Sequence, residues 1–221
     1  MVNGTVLITG ADRGIGFALA CRLHESGASV IAGCSSPSAS LVELGIRVET
    51  LDVSNTESVR ALAHRLEGVS LDVLVNNAGV AWRSTLDALA EENILAQFQV
   101  NAMGTLRTTA ALRHHLRDGA KVAIVSSRMG SMTDNDSGGA YGYRMSKAAL
   151  NAAGVSLARD LAPRNIAVAL IHPGFVRTQM SDGRGHLDPD EAAEGIVARI
   201  DDLTMQTTGR FVHINGDVLP W

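Results

Sequence analysis

Thr9-Gly10-Ala11-Asp12-Arg13-Gly14-Ile15-Gly16 separates a short β-branched run, Thr5–Thr9, from a segment of helical spacing, residues 15–26. In that segment Ile15, Leu19 and Leu23 fall on one face. The glycine spacing is GxxxGxG rather than GxGxxG. The physical demands are shared: Gly10 allows a tight turn, Gly14 lets the backbone approach a pyrophosphate, and Gly16 permits close helix–strand packing. The helix amino end then offers free N–H groups and a positive dipole end to phosphate. Glycines in turns are common, so the loop takes its weight from its place after the first strand.

Outward from this loop, β-branched runs recur at 29–32, 47–51, 72–75, 121–126, 165–171 and 209–214. They are nearly all apolar rather than alternating, as for parallel strands covered on both faces. Longer segments of helical spacing lie between them, which predicts an open α/β sheet with right-handed crossovers. No internal repeat or low-complexity linker breaks residues 1–221, so a single domain is expected. Two polar stretches, 128–142 and 178–189, follow strands and should form the cleft at their carboxyl ends. Gly183 and Gly185 predict a short, mobile lid in the second of them.

The 221 residues are 46% hydrophobic and 19% charged, which excludes a disordered chain. A net charge of −4 argues against a nucleic-acid partner held through phosphates. No basic run suits an anionic membrane, and no apolar stretch has the roughly 18–20 residues of a membrane span. Residues 1–4 run straight into a strand, so no signal peptide is expected. Cys21 and Cys34 stand outside any metal or redox spacing, which fits a reduced, cytoplasmic protein without a metal.

Five polar groups stand out. Tyr143 and Lys147 are four residues apart at the opening of an alanine-rich helical run, 146–161, and so are neighbours on a helix face. A lysine ammonium and a helix amino end both favour a phenolate, which would bring the tyrosine pKa down from about 10. An isolated YxxxK also occurs on solvated faces. Ser126-Ser127 ends the fifth strand and Asn76-Asn77-Ala78-Gly79 the fourth, places where turns alone would account for them. Asn101 interrupts an apolar helical segment, 94–112, where an amide is either exposed or needs a partner. Asp52-Val53 closes the third strand, where a cap is the plain alternative.

In this order the segments resemble the short-chain dehydrogenase/reductase family over essentially the whole chain. TGADRGIG (9–16) is similar to its TGxxxGIG and LDV (51–53) to its adenine-contacting Asp-Val. NNAG (76–79), Asn101, Ser127, Tyr143 with Lys147, and PGFVRT (173–178) fall in the family's order. The ending GRFVHINGDVLPW and the loop before the tyrosine resemble the sniffer and C-factor type carbonyl reductases. The resemblance implies a Rossmann-type doubly wound α/β domain: a seven-stranded parallel sheet, order 3-2-1-4-5-6-7, with helices on both faces. It implies hydride transfer between a nicotinamide and a ketone, aldehyde or secondary alcohol. Tyr143 would be the general acid/base, Lys147 would lower its pKa and hold the nicotinamide ribose, and Ser127 and Tyr143 would bind the substrate oxygen. Asn101 would hold a water linking Lys147 to solvent. Ser126 is the alternative hydroxyl. The spacing from Ser127 to Tyr143 is a few residues longer than in most members, and the loop must absorb it.

The same resemblance assigns cofactor contacts to Gly10, Asp12, Arg13, Gly14, Ile15 and Gly16, to Asp52 and Val53, and to Asn77, Ala78 and Gly79. Pro173, Gly174 and Val176 would line the nicotinamide, and Thr178 would meet its carboxamide or the phosphates. NAD-specific members carry an acid after the second strand. Here Gly33-Cys34-Ser35-Ser36-Pro37 has none before Glu43. Arg13 would pair a 2′-phosphate with help from Ser35 and Ser36. Many NADP members of this branch have arginine in place of Ser35, so NADP(H) is preferred without excluding NAD(H). The alternatives are a dinucleotide-binding signalling protein of C-factor type and an NAD-dependent alcohol dehydrogenase. By resemblance the partner is a second copy, as a homodimer or homotetramer, through 94–112, 146–161 and the last strand. His114-His115 and Asp134-Asn135-Asp136 lack the spacing of metal sites and are read as a helix end and a turn. Met129, Met132, Met145 and Met180 are either an adaptable substrate wall or packing.

Overall fold

The chain folds as a doubly wound sheet, and the computed structural model describes residues 2–221; of the opening residues 1–4, Met1 lies outside the described residues. Seven strands pair in parallel: β1 Thr5–Thr9, β2 Ser29–Cys34, β3 Arg47–Thr50, β4 Leu71–Asn76, β5 Leu116–Val125, β6 Ala167–His172 and β7 Phe211–His213. Their order is β3-β2-β1-β4-β5-β6-β7, the order expected from the resemblance. Between them run the helices α1 Gly14–Glu25, α2 Ala39–Glu43, α3 Thr56–Arg65, α4 Glu91–Phe98, α5 Gly104–Leu112, α6 Tyr141–Leu161 and α7 Pro189–Asp201.

Alternate strand residues feed two separate cores. Val6, Ile8, Val73 and Val75 pack with Leu19 and Leu23 of α1 and Ile196 and Ile200 of α7 on one face. Leu7, Leu74, Val122 and Ile124 pack with Leu62 of α3, Leu112 of α5 and Leu150 and Leu157 of α6 on the other. Each such side chain contributes about 1.5–3 kcal/mol when fully buried. This two-sided burial is why the strands read as apolar runs rather than as alternating ones. Among the described residues no helix is long and apolar enough to cross a membrane.

Three elements depart from the sequence-based expectation. The expected helix 94–112 is interrupted by a π-helical turn, Gln99–Met103, between α4 and α5. The long helix α6 begins at Tyr141 rather than 146, because Ala140 takes a left-handed turn (φ 48°) that starts it early. Strand β5 begins at Leu116, which pairs with Leu71, and the register then shifts before Lys121 pairs with Val73. Leu116 is followed by Arg117, Asp118 and Gly119, so periodicity does not reveal this opening.

Candidate active site

Strand order reverses at β1 and β4, and ligands of such sheets bind outside the strand ends at that point. A cleft of about 1390 Å³ opens there, over the carboxyl ends of β1, β4, β5 and β6. Both expected loops line it, the first through Arg128, Met129, Asp134 and Ala140, the second from Thr178 to Asp182 and through Arg184 and His186.

At one end the glycine loop turns back on itself. Gly10 (φ 66°) and Gly14 (φ 54°) are left-handed, and the Gly10 and Ala11 N–H groups donate to the Gly33 carbonyl at 2.7 and 3.3 Å. A side chain at Gly10 would press on Ala78 Cα at 2.8 Å, and one at Gly16 would overlap the Gly10 carbonyl oxygen. Arg13 is the N-cap of α1 in extended backbone and makes no side-chain cap bond. The first N–H groups of α1 are therefore left for a ligand, and Gly14, Ile15 and Gly16 line the cleft. The Arg13 side chain is 72% exposed, with Nε 3.7 Å from the Asp12 carboxylate. Ser35, Asp52 and Val53 line the same end, whereas Ser36 is exposed and does not line the cleft. Asp52 lies just beyond β3 rather than closing it, and its carboxylate accepts from Ser54 N and Oγ.

Asn77, Ala78 and Gly79 line the cleft floor. The Asn77 amide is committed to structure: Nδ2 donates to the Thr9 and Gly10 carbonyls at 3.0 Å, stitching β4 to the glycine loop. Thr178 approaches Gly14 from the far wall, and Pro173, Gly174 and Val176 line the stretch between.

At the other end, α6 brings Tyr143 and Lys147 to one face. Ser127 shares a hydrogen bond with the Tyr143 phenol. Ser126 points elsewhere, donating to Asn151 Oδ1 at 2.5 Å. Lys147 Nζ donates to the Val125 carbonyl at 2.9 Å and lies 5.8 Å from the centre of the Tyr143 ring. The π-helical turn presents Asn101 inward. Its Nδ2 donates to the Val80 carbonyl and to Ser146 Oγ, both at 2.9 Å, and its Oδ1 accepts from Val80 N at 2.8 Å. Ser146 Oγ donates in turn to the Tyr143 carbonyl. The Asn101 side chain is thus spent on holding the wall to α6, and its backbone carbonyl accepts from Thr105 Oγ1 at 3.4 Å.

The electrostatics correct one expectation. Burial pushes the Tyr143 phenol up, and the Ser127 hydrogen bond only partly offsets it. The lowering expected from Lys147 is not seen, because that ammonium is aimed at the Val125 carbonyl and is itself pushed down to about 8 by burial. A residue missed in the sequence, His172, ends β6 in the cleft. Burial, the His213 ring at 5.1 Å and the charges of Arg128 and Lys147 push it down to about 3. Its place before Pro173-Gly174 was its only signal.

Of the four methionines weighed for a substrate wall, Met129 and Met180 line the cleft. Met132 and Met145 are exposed outside it. The lid expected at 178–189 is fastened at its neck, where Val176 bridges Leu187 and Arg177 pairs with Asp188 at 2.8 Å. The first loop is tied at Thr133, whose N and Oγ1 donate to the Trp221 carbonyl. Among the described residues no three His, Cys, Asp or Glu gather as a metal site.

Comparison with known proteins agrees with this geometry. Residues 4–187 match the family described as short chain dehydrogenase. The chain is 44% identical over 224 residues to the 1-hydroxy-2-glutathionyl-2-methyl-3-butene dehydrogenase of Rhodococcus sp. (strain AD45), covering 98% of this chain and 99% of that one. It is 42% identical over 167 residues to the C-signal of Myxococcus xanthus, covering 74% of this chain and 100% of that protein. Among solved structures, the carbonyl reductase Sniffer of D. melanogaster superposes with a TM-score of 0.94 at 30% identity over the whole of both chains. The NADPH-bound carbonyl reductase from chicken fatty liver does so with a TM-score of 0.92 at 28% identity, again over the whole of both chains.

Proposed function

This chain belongs to the short-chain dehydrogenase family, on the sniffer and C-factor side of it, and we propose that it is an NADP(H)-dependent oxidoreductase acting on ketones, aldehydes or the corresponding alcohols. The observation that carries this reading is one continuous cleft. It starts at an uncapped helix amino end and finishes at a phenol, a serine hydroxyl and a buried lysine.

The residues fit a dinucleotide. Side chains are missing at Gly10, Gly14 and Gly16, where a Cβ would meet neighbours and a pyrophosphate needs backbone. Arg13 and Ser35 stand at the open end, where a 2′-phosphate would lie, and Asp52 and Val53 would contact the adenine. Lys147 would donate to the ribose hydroxyls, and Pro173, Gly174, Val176 and Thr178 would form the wall of the nicotinamide. The cofactor, when bound, supplies or accepts the hydride.

The chain's own residues manage the proton. Ser127 and Tyr143 together hold the substrate oxygen, and Tyr143 Oη gives it a proton in reduction or takes one in oxidation. A phenol held up by burial is a proton donor at neutral pH; an ammonium at Lys147, once turned toward the cofactor, favours the phenolate the other direction needs. Asn101 keeps α6 and the β4 loop in register, and its carbonyl offers Lys147 a water path.

Arg13 favours NADPH by one charged hydrogen bond, about 1.5–3 kcal/mol or about 10–100-fold in affinity. Asp12 at 3.7 Å shares that guanidinium and moderates the preference. The free Cys21 and Cys34 fit a reducing compartment such as the cytoplasm. Leu95, Phe98 and Leu106, exposed on α4 and α5, suit a homodimer or homotetramer contact.

Fluorescence titration with NADPH and NADH, followed by turnover of a carbonyl and alcohol panel, tests the reading. NADPH should bind about tenfold tighter or more, and Tyr143→Phe should bind it unchanged while turnover vanishes. Equal binding, or tighter NADH, would refute the NADP preference and redirect the search to NAD-dependent alcohol oxidation. The likeness to C-signal favours a second reading, a dinucleotide-binding signalling protein; it predicts tight cofactor binding with no turnover across the panel.

A further inference from the structure

The chain as a whole is acidic, yet the substrate end of the cleft is not. Four arginines line it: Arg83, Arg128, Arg144 and Arg184. Two are neutralised within their own loops, Arg128 by Asp134 at 3.0 Å and Arg184 by Asp182 at 3.1 Å. Among the described residues those two aspartates are the only carboxylates lining this end. Arg83 and Arg144 have no ion-pair partner among the described residues.

Arg144 directly follows Tyr143 on α6. Its Nη2 donates to Ser137 Oγ at 2.9 Å. Its Nε and Nη1 are withdrawn from solvent and have no hydrogen-bond partner. A guanidinium carries five N–H donors in a planar fork, so most of its capacity is unspent. Leaving a charged donor buried and unpaired is costly, and a carboxylate is the group that matches the fork with two parallel bonds. Its one side-chain partner is held loosely: Ser137 sits in the exposed stretch 135–138, followed by three left-handed residues, Gly138, Gly139 and Ala140.

Arg83 is brought to the same mouth by its neighbours. Trp82 N donates to Gln97 Oε1 at 2.9 Å. The Ser84 carbonyl accepts from Ala140 N at 3.0 Å, and Ser84 Oγ accepts from Gly142 N. The backbone before Arg83 is therefore tied to α4 and the backbone after it to the start of α6, while its side chain is exposed at the cleft.

We propose that Arg144, with Arg83 at the rim, receives a carboxylate of the substrate, so that this site selects carbonyl compounds and alcohols that carry a negative charge. The proposal rests on the oxidoreductase reading above and adds the substrate class to it. Tyr143 and Ser127 hold the reacting oxygen, and the residue next in sequence to Tyr143 holds the far end of the molecule.

The test uses a pair of substrates of similar shape, 4-carboxybenzaldehyde and its methyl ester, methyl 4-formylbenzoate, reduced with NADPH. The readout is the ratio of kcat/KM for acid over ester, which cancels any loss common to both. In the wild type the acid should be favoured by about 10–100-fold, the worth of one charged, bidentate contact. Arg144→Met should bring the ratio close to one, Arg144→Lys should restore part of it, and Arg83→Met should lower it by a smaller factor. A wild-type ratio at or below one overturns the proposal. So does a ratio that Arg144→Met leaves unchanged, which would make Arg144 a brace for the Ser137 loop. If neither aldehyde is turned over although NADPH binds, the carbonyl and alcohol panel judges the oxidoreductase reading separately. Calorimetric binding of 4-carboxybenzaldehyde to the NADPH complex then decides the rest: equal affinity for wild type and Arg144→Met overturns the anion site, and a loss of about tenfold or more upholds it. If Arg144→Met does not fold, the Arg83→Met and Arg144→Lys ratios decide by the same criteria.

Discussion

Replacing Lys147 by methionine should erase a specific pH dependence of stability. The ammonium is buried between α6 and the end of β5, and burial holds its pKa near about 8 against an ordinary 10.5. Each pH unit between the folded and unfolded titrations is worth about 1.4 kcal/mol, so the burial penalty is about 3 kcal/mol. Below pH 8 both states are protonated and the folded protein bears the whole penalty. Between about 8 and 10.5 the unfolded chain keeps a proton that the folded chain has released, so stability rises with pH. Cys21, Cys34 and Tyr143 are pushed upward and act in the opposite sense at alkaline pH. They are present in both proteins, so the difference between wild type and Lys147→Met isolates the lysine. Urea unfolding of both, without cofactor, at pH 7.5 and pH 10 is the assay. The wild type should gain about 2–3 kcal/mol relative to the variant over that interval. Two curves that stay parallel within the error of extrapolation would show that Lys147 is solvated or paired in solution, and the reasoning from burial would fail.

Gly16→Ala places a methyl group on the Gly10 carbonyl oxygen and 2.5 Å from Asn77 Nδ2, so the glycine loop must shift. It should cost about 1–3 kcal/mol by thermal unfolding and weaken NADPH binding by about tenfold or more in the same titration that serves the wild type. Arg164 ties the start of β5 through three bonds, to Asp118 at 2.8 Å and to the Arg113 and Leu116 carbonyls at 2.6 Å. Arg164→Ala should cost about 1–3 kcal/mol, or a fall of roughly 2–10 °C in Tm, with cofactor affinity unchanged; a lower affinity would mean the effect reaches the cleft.

The parts of the fold that could be read from the sequence are those set by neighbours along the chain. Strand β1, the glycine loop and α1 follow from a β-branched run, three glycines and a helical apolar stripe within about twenty residues. Tyr143 and Lys147 were legible because four residues on a helix always share a face. What escaped depends on contacts made across the fold. Asn77 looks like a ligand residue and instead spends its amide on the glycine loop, nearly seventy residues earlier. Ser126 and Ser127 are alike in sequence, and only the position of Asn151 on α6 separates their directions. The direction of the tyrosine shift also escaped, since spacing carries no information on burial or on the Val125 carbonyl that holds Lys147. Arg144 and His172 stand beside recognisable motifs, but nothing local marks their unpaired nitrogens.

The π-helical turn at Gln99–Met103 has an evolutionary consequence. Such a turn closes on the fifth residue rather than the fourth and so carries one residue more than its α-helical neighbours. One residue corresponds to about 100° of rotation, enough to move a side chain from one face of a helix to the next. Losing a single codon in this stretch would leave the loops before α4 and after α5 intact. It would still turn Asn101 away from Val80 and Ser146. A lineage could thus gain or lose the inward amide by an insertion or deletion of one residue, without rebuilding the sheet.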